Sequence, residues 1–532
     1  MLNSQLNDFA SAAHLTQVAS YFDIVDAAVK TGDTNKRYTI STNTSTAPSP
    51  PIAEGTWTNI HIAPTADNMC DLYNSFVEFK MTVALKTNYT DSTTKPTAGA
   101  GNKPAFWVGF KDAMDAIEAY QIVANGQVIY TQPHAIEESY ITNLATTDMV
   151  RNKDIFSKAT AKNIMDRVDT LMVGGLFELD SAKVLNAQTA LINLNLKVDI
   201  RRFLPLSGIK YLPAFVGNLE LRVKFSTAGL VCLPMPWYDT VNQHTKSITL
   251  TQDPPNITNC FTPLGKDFTT TTGYDSSTKK LTSAVINCVP TSMSVSECFS
   301  VLSCFGIDDS IYQQLVQRYT GQSLSFPTQT LTFQAMNGSM GNGKTGVDLA
   351  LTSTPRFVDT IFILFPYDTN YRTCYYNPLF DACQITMGGY GTMPDIPVSS
   401  YGVINYEMLT NALNGNNDLT GLNKDVMISA TLNPSLTKAE QTVGTKPHDI
   451  SNFVLAYPVS VDNTFQQGQT SSAPITYQFK ATMNENSYYK DATSCVPLMG
   501  FLKDSVFAIQ IRPNGPPLIA LDEFDISSPA GA

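Results

Sequence analysis

Apolar residues that alternate one by one with polar residues recur in both halves of the chain, a period that fits a β-strand with one buried face and does not fit a helix. In "VEFKMTVAL" the apolar set is Val77, Phe79, Met81, Val83 and Leu85, and in "INLNLKVDI" it is Ile192, Leu194, Leu196, Val198 and Ile200. "NLELRVKF" (218–225), "TLTFQAM" (330–336) and "ITYQFKATM" (475–483) repeat the alternation. "VDTIFILF" (358–365) is apolar enough to predict a strand buried on both faces. The expected fold class is all-β. At 532 residues the chain exceeds one ordinary core, so two sandwich domains are expected. Only 15% of the residues are charged and 10% are aromatic, which suits strands joined by polar loops.

A duplication is the natural way to fill two such halves. "IEAYQIVANGQ" (117–127) and "FDACQITMGGY" (380–390) align without a gap at an offset of 263 residues, placing Glu118 on Asp381, Ala119 on Ala382, Gln121 on Gln384, Ile122 on Ile385 and Gly126 on Gly389. Each reads as a strand running into a glycine turn. Between the halves, "DDSIYQQLVQRYTG" predicts a helix with Asp308 or Asp309 as cap, a face of Ile311, Leu315 and Tyr319, and Gly321 as stop. Residues 4–30 predict a second amphipathic helix, with Leu6, Phe9, Ala13, Val18, Phe22 and Val25 on its stripe. The expected organisation is an N-terminal helical arm (1–35), a first sandwich (36–305), a connector helix (306–322) and a second sandwich (323–532). Long loops are expected at 86–104, about 236–283 and 411–448, lengths that usually carry a function.

One stretch carries a chemical motif. "GSMGNGKT" (338–345) fits G-x-x-x-x-G-K-[ST], with Gly338, Gly343, Lys344 and Thr345 at the fixed positions. A phosphate loop needs a helix behind it whose N-terminus faces the phosphates. Here "GVDLALTSTPRF" follows, with Thr352, Thr354 and Pro355 arguing for strand and turn. The glycines and Asn337 and Asn342 therefore read as a turn between strands, and no nucleotide or other cofactor is expected. The five histidines (14, 61, 134, 244, 448) lie far apart and no HExxH or GxSxG is present, so neither a metal site nor catalytic residues are expected. Glu137-Glu138 reads as solvated surface and Asp308-Asp309 as a helix cap. The nine cysteines form no CxxC pair and read as buried small hydrophobes in a reducing compartment.

With 46 Asp+Glu against 35 Lys+Arg, the net charge of −11 repels phosphate backbones, and direct contact with nucleic acid is not expected. No secretory signal is legible at the amino terminus and no apolar run approaches the ~20 residues of a membrane span, so a soluble protein is expected.

Four local features resemble the major capsid proteins of the double jelly-roll lineage, of the virophage and polinton-like virus type. They are "DLYNSFVEFKMTV" (71–83), "YQIVANGQVIY" (120–130), "FLPLSGIKYLPAFVGNLELRVKF" (203–225) and the repeat at 380–390. The resemblance implies two tandem eight-stranded jelly rolls with long loops and a few short helices. It further implies a non-enzymatic homotrimeric capsomer of pseudo-hexagonal outline that self-assembles into the icosahedral shell of a double-stranded DNA virus, in the virion capsid, after assembly in the host cytoplasm or nucleus. Implied partners are neighbouring capsomers, penton and minor capsid proteins, and an inner membrane. The alternative is a two-domain β-sandwich carbohydrate-binding protein or adhesin, which paired cysteines or exposed loop tryptophans would favour; the chain has Trp57, Trp107 and Trp237.

Overall fold

A computed structural model describes residues 21–28, 37–41, 51–62, 68–89, 105–144, 156–159, 173–178, 188–234, 261–275, 280–320, 323–354, 356–414, 424–431, 450–460, 471, 473–492, 495–512 and 515–522. Sixteen strands form two matching sets. The first half contributes β1 (Arg37–Ser41), β2 (Trp57–His61), β3 (Met69–Tyr89), β4 (Ile117–Ala124), β5 (Gln127–Gln132), β6 (Tyr211–Pro213), β7 (Leu219–Phe225) and β8 (Lys280–Phe305). The second contributes β9 (Ser323–Ala335), β10 (Gly346–Ser353), β11 (Val358–Leu364), β12 (Phe380–Met387), β13 (Gly391–Val398), β14 (Leu455–Pro458), β15 (Ile475–Met483) and β16 (Leu498–Gln510).

In the first half one sheet runs β1-β8-β3-β6 and the other β2-β7-β4-β5; in the second half the orders are β9-β16-β11-β14 and β10-β15-β12-β13. Adding eight to each label converts one half into the other. First, eighth, third and sixth strands opposite second, seventh, fourth and fifth is the jelly-roll winding, so the fold is a double jelly roll. The aligned repeat falls on β4 and β12, the same strand of each roll. Both run into left-handed turns, at Asn125 (φ 49°) and Gly126 (φ 83°) in one roll and Gly389 (φ 83°) in the other. The alternation is seen directly in β7, whose residues 219, 221, 223 and 225 are buried and whose 220, 222 and 224 are half-exposed.

Successive antiparallel strands put their connections at alternate ends of a roll. The connections β3–β4, β5–β6 and β7–β8 therefore share one end, and in the first roll all three carry insertions that build a further sheet there. Its order is Thr262–Pro263, Val231–Pro234, Ala105–Gly109, Gly174–Glu178. The same insertions supply Gln188–Asp199, which pairs with β3, and Asp267–Asp275, which pairs with β8. The expected loop at 236–283 is thus partly strand: in "DFTTTTGYD" the β-branched threonines suit a pleated surface although they look loop-like in composition. In the expected loop at 411–448, the helix Val403–Asn414 runs in at one end and a helix Lys424–Ala430 lies within. Within 86–104, β3 continues to Tyr89 and residues 90–104 lie outside the described residues.

The connector helix spans Asp309–Tyr319, with Asp308 accepting from the Ser310 amide at 2.8 Å and Leu315 and Tyr319 buried. Of the amino-terminal helix, residues 21–28 are described and Leu6, Phe9, Ala13 and Val18 lie outside them. Tyr21 and Val25 are fully buried, with the Tyr21 ring edge-on to Tyr319 at 6.1 Å and Phe326 at 5.8 Å, so this helix packs on its own chain.

The two rolls touch along a dry seam. Thr328 Oγ donates to the Leu204 carbonyl at 2.6 Å, and a Cβ placed on Gly208 would lie 1.9 Å from the Pro327 carbonyl oxygen. Gly208→Ala is therefore expected to push the rolls apart and destabilise the chain by about 2 kcal/mol, read as a lower melting temperature. The wholly buried β11 has the same origin: its inner face meets the core of its own roll and its outer face meets side chains from the first.

Candidate functional site

The glycine-rich loop is the connection between β9 and β10, lying beside Lys490, Ala492 and Cys495 at one end of the second roll. Gly338, Gly341, Asn342 and Gly343 all have positive φ (109°, 103°, 55° and 77°). The amides a phosphate would need are already engaged: Met340 donates to the Cys495 carbonyl, Asn342 to Ala492 and Gly343 to Lys490, each at 2.9 Å, and Lys344 to Gly341 at 3.2 Å. A Cβ on Gly341 would meet the Ala492 carbonyl oxygen at 2.4 Å. Strand β10 follows at once, so no helix dipole faces the loop. Lys344 and Thr345 are exposed. Neither the parent nor Lys344→Ala is expected to bind ATP, as titration with a fluorescent analogue would read.

Among the described residues no group of three His, Cys, Asp or Glu could hold a metal ion. Of the histidines, His61 is buried in β2 and His134 stands 3.7 Å from Glu137; His14, His244 and His448 lie outside the described residues. Cys70, Cys232, Cys288, Cys298, Cys304, Cys374, Cys383 and Cys495 are all buried, and burial pushes Cys288 and Cys298 up to about 12.

The chemically dense region is the seam between the rolls, built on the helix Ala135–Leu144 that follows β5. Glu137 and Glu138 are 2% and 0% exposed, which corrects their reading as solvated surface. Nine of the ten residues of "AIEESYITNL" are buried, Ser139 and Asn143 among them, so the carboxylates have nowhere wet to point. Glu138, Ser139, Thr142 and Asn143 fall on one side of the helix and read in the sequence as a wet face.

Glu137 bridges the rolls through a fork: Arg372 Nε and Nη2 donate to its two oxygens at 2.7 Å each. Burial alone would raise Glu137, but hydrogen bonds from His134 and Arg372 and the guanidinium charge outweigh it and hold the carboxyl at about 2. Glu138 accepts from Tyr120 Oη at 2.8 Å and from Gln132 Nε2 at 2.5 Å, and Gln132 also donates to the Leu331 carbonyl across the seam at 2.6 Å. With no cation in contact, burial prevails and pushes Glu138 up to about 7. Nearby, Tyr140 Oη donates to the Phe453 carbonyl at 2.9 Å and Lys111 Nζ to Ser451 Oγ at 2.7 Å. Asp115 is raised to about 7 by burial and then by the charge of Asp112, which Arg202 meets at 3.0 Å. The hydrogen bonds from Arg372 to Glu137, from Gln132 to Leu331 and from Tyr140 to Phe453 fix one roll against the other.

A second buried pair lies within the second roll. Asp359, at a bulge in β11, and Asp504 in β16 are each 2% exposed, and Gln329 Nε2 donates to Asp359 at 3.3 Å. Burial first, then the charge and hydrogen bond of Asp504, push Asp359 up to about 9.

The seam has a counterpart that is not covered. In each roll a helix follows the fifth strand: Ala135–Leu144 after β5, and Val403–Asn414 after β13. The first is sunk between the rolls, where Tyr140, Ile141 and Leu144 pack with Leu331, Phe333 and Phe362 on the outer face of the β9-β16-β11-β14 sheet. The second contributes Leu409, Ala412 and Leu413 to the same apolar cluster, with Phe362, Leu364, Val454 and Ala456. It leaves Val403 73% and Ile404 57% exposed beside Ile396 of edge strand β13, 76% exposed.

No protein-family model and no curated protein matches the sequence. Among solved structures, the mavirus major capsid protein matches with 9% identity and a TM-score of 0.44, over 94% of this chain and 93% of that one. The Faustovirus major capsid protein matches with 8% identity and a TM-score of 0.42, over 96% and 98%. A quasi-atomic model of the PBCV-1 virus capsid matches with 10% identity and a TM-score of 0.46, over 92% and 96%. The chain is similar, along more than nine-tenths of its length, to each of these capsid proteins.

Proposed function

We propose that the chain is a viral major capsid protein, a structural tile that associates with copies of itself into a homotrimer and so into an icosahedral shell. The observation that carries this reading is the bare flank of the second roll. The first roll's helix is buried against the second roll through Tyr140, Ile141 and Leu144, while the second roll leaves Ile396, Val403 and Ile404 exposed, an apolar surface that a further roll could cover. Heterologous contacts of this kind close into rings when the rotation permits, and three chains give six rolls. The four stretches that resemble double jelly-roll capsid proteins support the same reading. So does the buried Glu137–Arg372 fork, which ties the two rolls of one chain together and fits a structural role.

An obligate trimer of this kind buries well over roughly 2,000 Å². Penton and minor capsid proteins, and a membrane beneath the shell, are the further partners proposed, with DNA held by other components because the tile is acidic. The division of the chain at the Asp309–Tyr319 helix, between a roll ending near 305 and one beginning near 323, is part of the proposal. Light scattering on the purified chain tests it: three times the 58.1 kDa of one chain is expected, and a stable monomer at milligram concentrations would overturn it.

A further inference from the structure

We propose that Cys70 and Cys304 join in a disulfide when the chain meets oxidising surroundings, stapling the first roll shut. Cys70 is the second residue of β3 and Cys304 the next to last of β8, and the two stand directly opposite each other in that antiparallel pair. Opposite residues of such a pair have Cα atoms about 4.5–5.5 Å apart and send their side chains to one face. A disulfide needs about 4.4–6.8 Å, so the bridge fits without moving the backbone. Both side chains are fully buried in the roll's core.

The juxtaposition is particular to this pair. Of the other described cysteines in strands, Cys288 faces Thr87, Cys298 faces Phe79, Cys383 faces Val398 and Ala481, and Cys232 faces Val108 and Thr262. The register at Cys70 is also braced. Residues 72–75 of β3 bulge opposite Leu302 alone, and Ser75 closes the bulge: its hydroxyl donates to the Asp71 carbonyl at 2.6 Å and accepts from the Ser303 amide at 2.9 Å. The Asp71 carboxylate accepts from the Tyr73 amide at 3.1 Å and from Asn74 Nδ2 at 2.7 Å. On its other side Cys70 pairs with Leu212 of β6, so three strands hold it in place.

The co-reactant is a small disulfide of the oxidised-glutathione class. One cysteine sulfur attacks it, forming a mixed disulfide and releasing one small thiol; the second cysteine sulfur attacks the mixed disulfide and releases the other. One S–S bond breaks and one forms, the two cysteine protons leave on the two small thiols, and the protein is oxidised as the small disulfide is reduced. A hydrogen bond with the Cys304 thiol, and then burial, raise the Cys70 thiol well above its ordinary value, so the closed pair offers little thiolate. Exchange therefore belongs to the folding chain or to a parting of the strand ends. The bond would enclose nearly the whole first roll, from the start of its third strand to the end of its eighth, and a closed loop of that length takes freedom from the unfolded chain.

The test makes the full chain by cell-free synthesis in a buffer of oxidised and reduced glutathione, so that the bond can close before the core does, and again in dithiothreitol. Peptide mapping without reductant is expected to show the peptides of Cys70 and Cys304 linked in the first preparation, two hydrogens lighter than their sum. Its melting temperature is expected to exceed that of the second by about 5 °C or more. Cys304→Ala is expected to lose both the link and the rise, and Cys298→Ala, a buried neighbour on the same strand, to keep both. An oxidised parent without the linked peptide, or one that is linked and melts where the reduced parent does, overturns the staple.

Discussion

Arg372→Ala is expected to lower the stability of the folded chain by roughly 3–5 kcal/mol, because it strands the buried Glu137 carboxylate without its cation. The bidentate fork at 2.7 Å is what keeps Glu137 ionised at 2% exposure. With the guanidinium gone, Glu137 must stay charged and unpaired or take up a proton. A control separates the fork from the residues around it: replacing Arg372 by Met and Glu137 by Leu together removes the charges as a pair and is expected to lose much less. In the parent the folded carboxyl titrates at about 2, below the 4.5 of an unperturbed Glu. Its contribution is therefore present above pH about 4.5 and is lost as the pH falls through about 2, a limb the double replacement should lack. Denaturant unfolding at pH 7 and pH 3 reads both effects. Equal loss in the single and double variants would refute the account of the fork.

Asp359→Asn is expected to do the opposite and stabilise. With its carboxyl raised to about 9, against an ordinary 3.8, Asp359 is neutral in the folded chain at pH 7 while the unfolded chain would ionise it. A raised acid contributes stability that is complete below pH about 3.8 and is lost as the pH climbs through about 9. Asparagine keeps the shape, donates to Asp504 and has no proton to lose. The variant should melt above the parent at pH 8 to 9, by an amount on the order of a few kcal/mol, and the gap should close toward pH 4. A variant that melts below the parent at pH 9 would show that Asp359 is not held neutral by its burial beside Asp504.

The strands were legible because their alternation is local: β7, β9 and β15 lie where the period of two places them, and β11 is buried on both faces as its composition predicts. The repeat was legible because β4 and β12 occupy one position in both rolls and each is followed by a positive-φ glycine, Gly126 and Gly389. What escaped depends on partners far away in the chain. Glu137 and Glu138 look like surface until Arg372 and Tyr120 arrive from 235 and 18 residues away. Asp359 sat in plain view inside "VDTIFILF", where a lone acid in a strand predicted to have no wet face already called for a proton or a partner. The insertion sheet of the first roll escaped because its strands are two to five residues long and pair across different connections.

The inserted strands all leave the first roll from one rim, since the winding returns every second connection there. Sequence added at that rim can change the relief of one surface while the walls, which in the proposed shell would set the spacing between neighbours, keep their dimensions. Such a protein can vary the landscape it shows to its surroundings without renegotiating how it is paved.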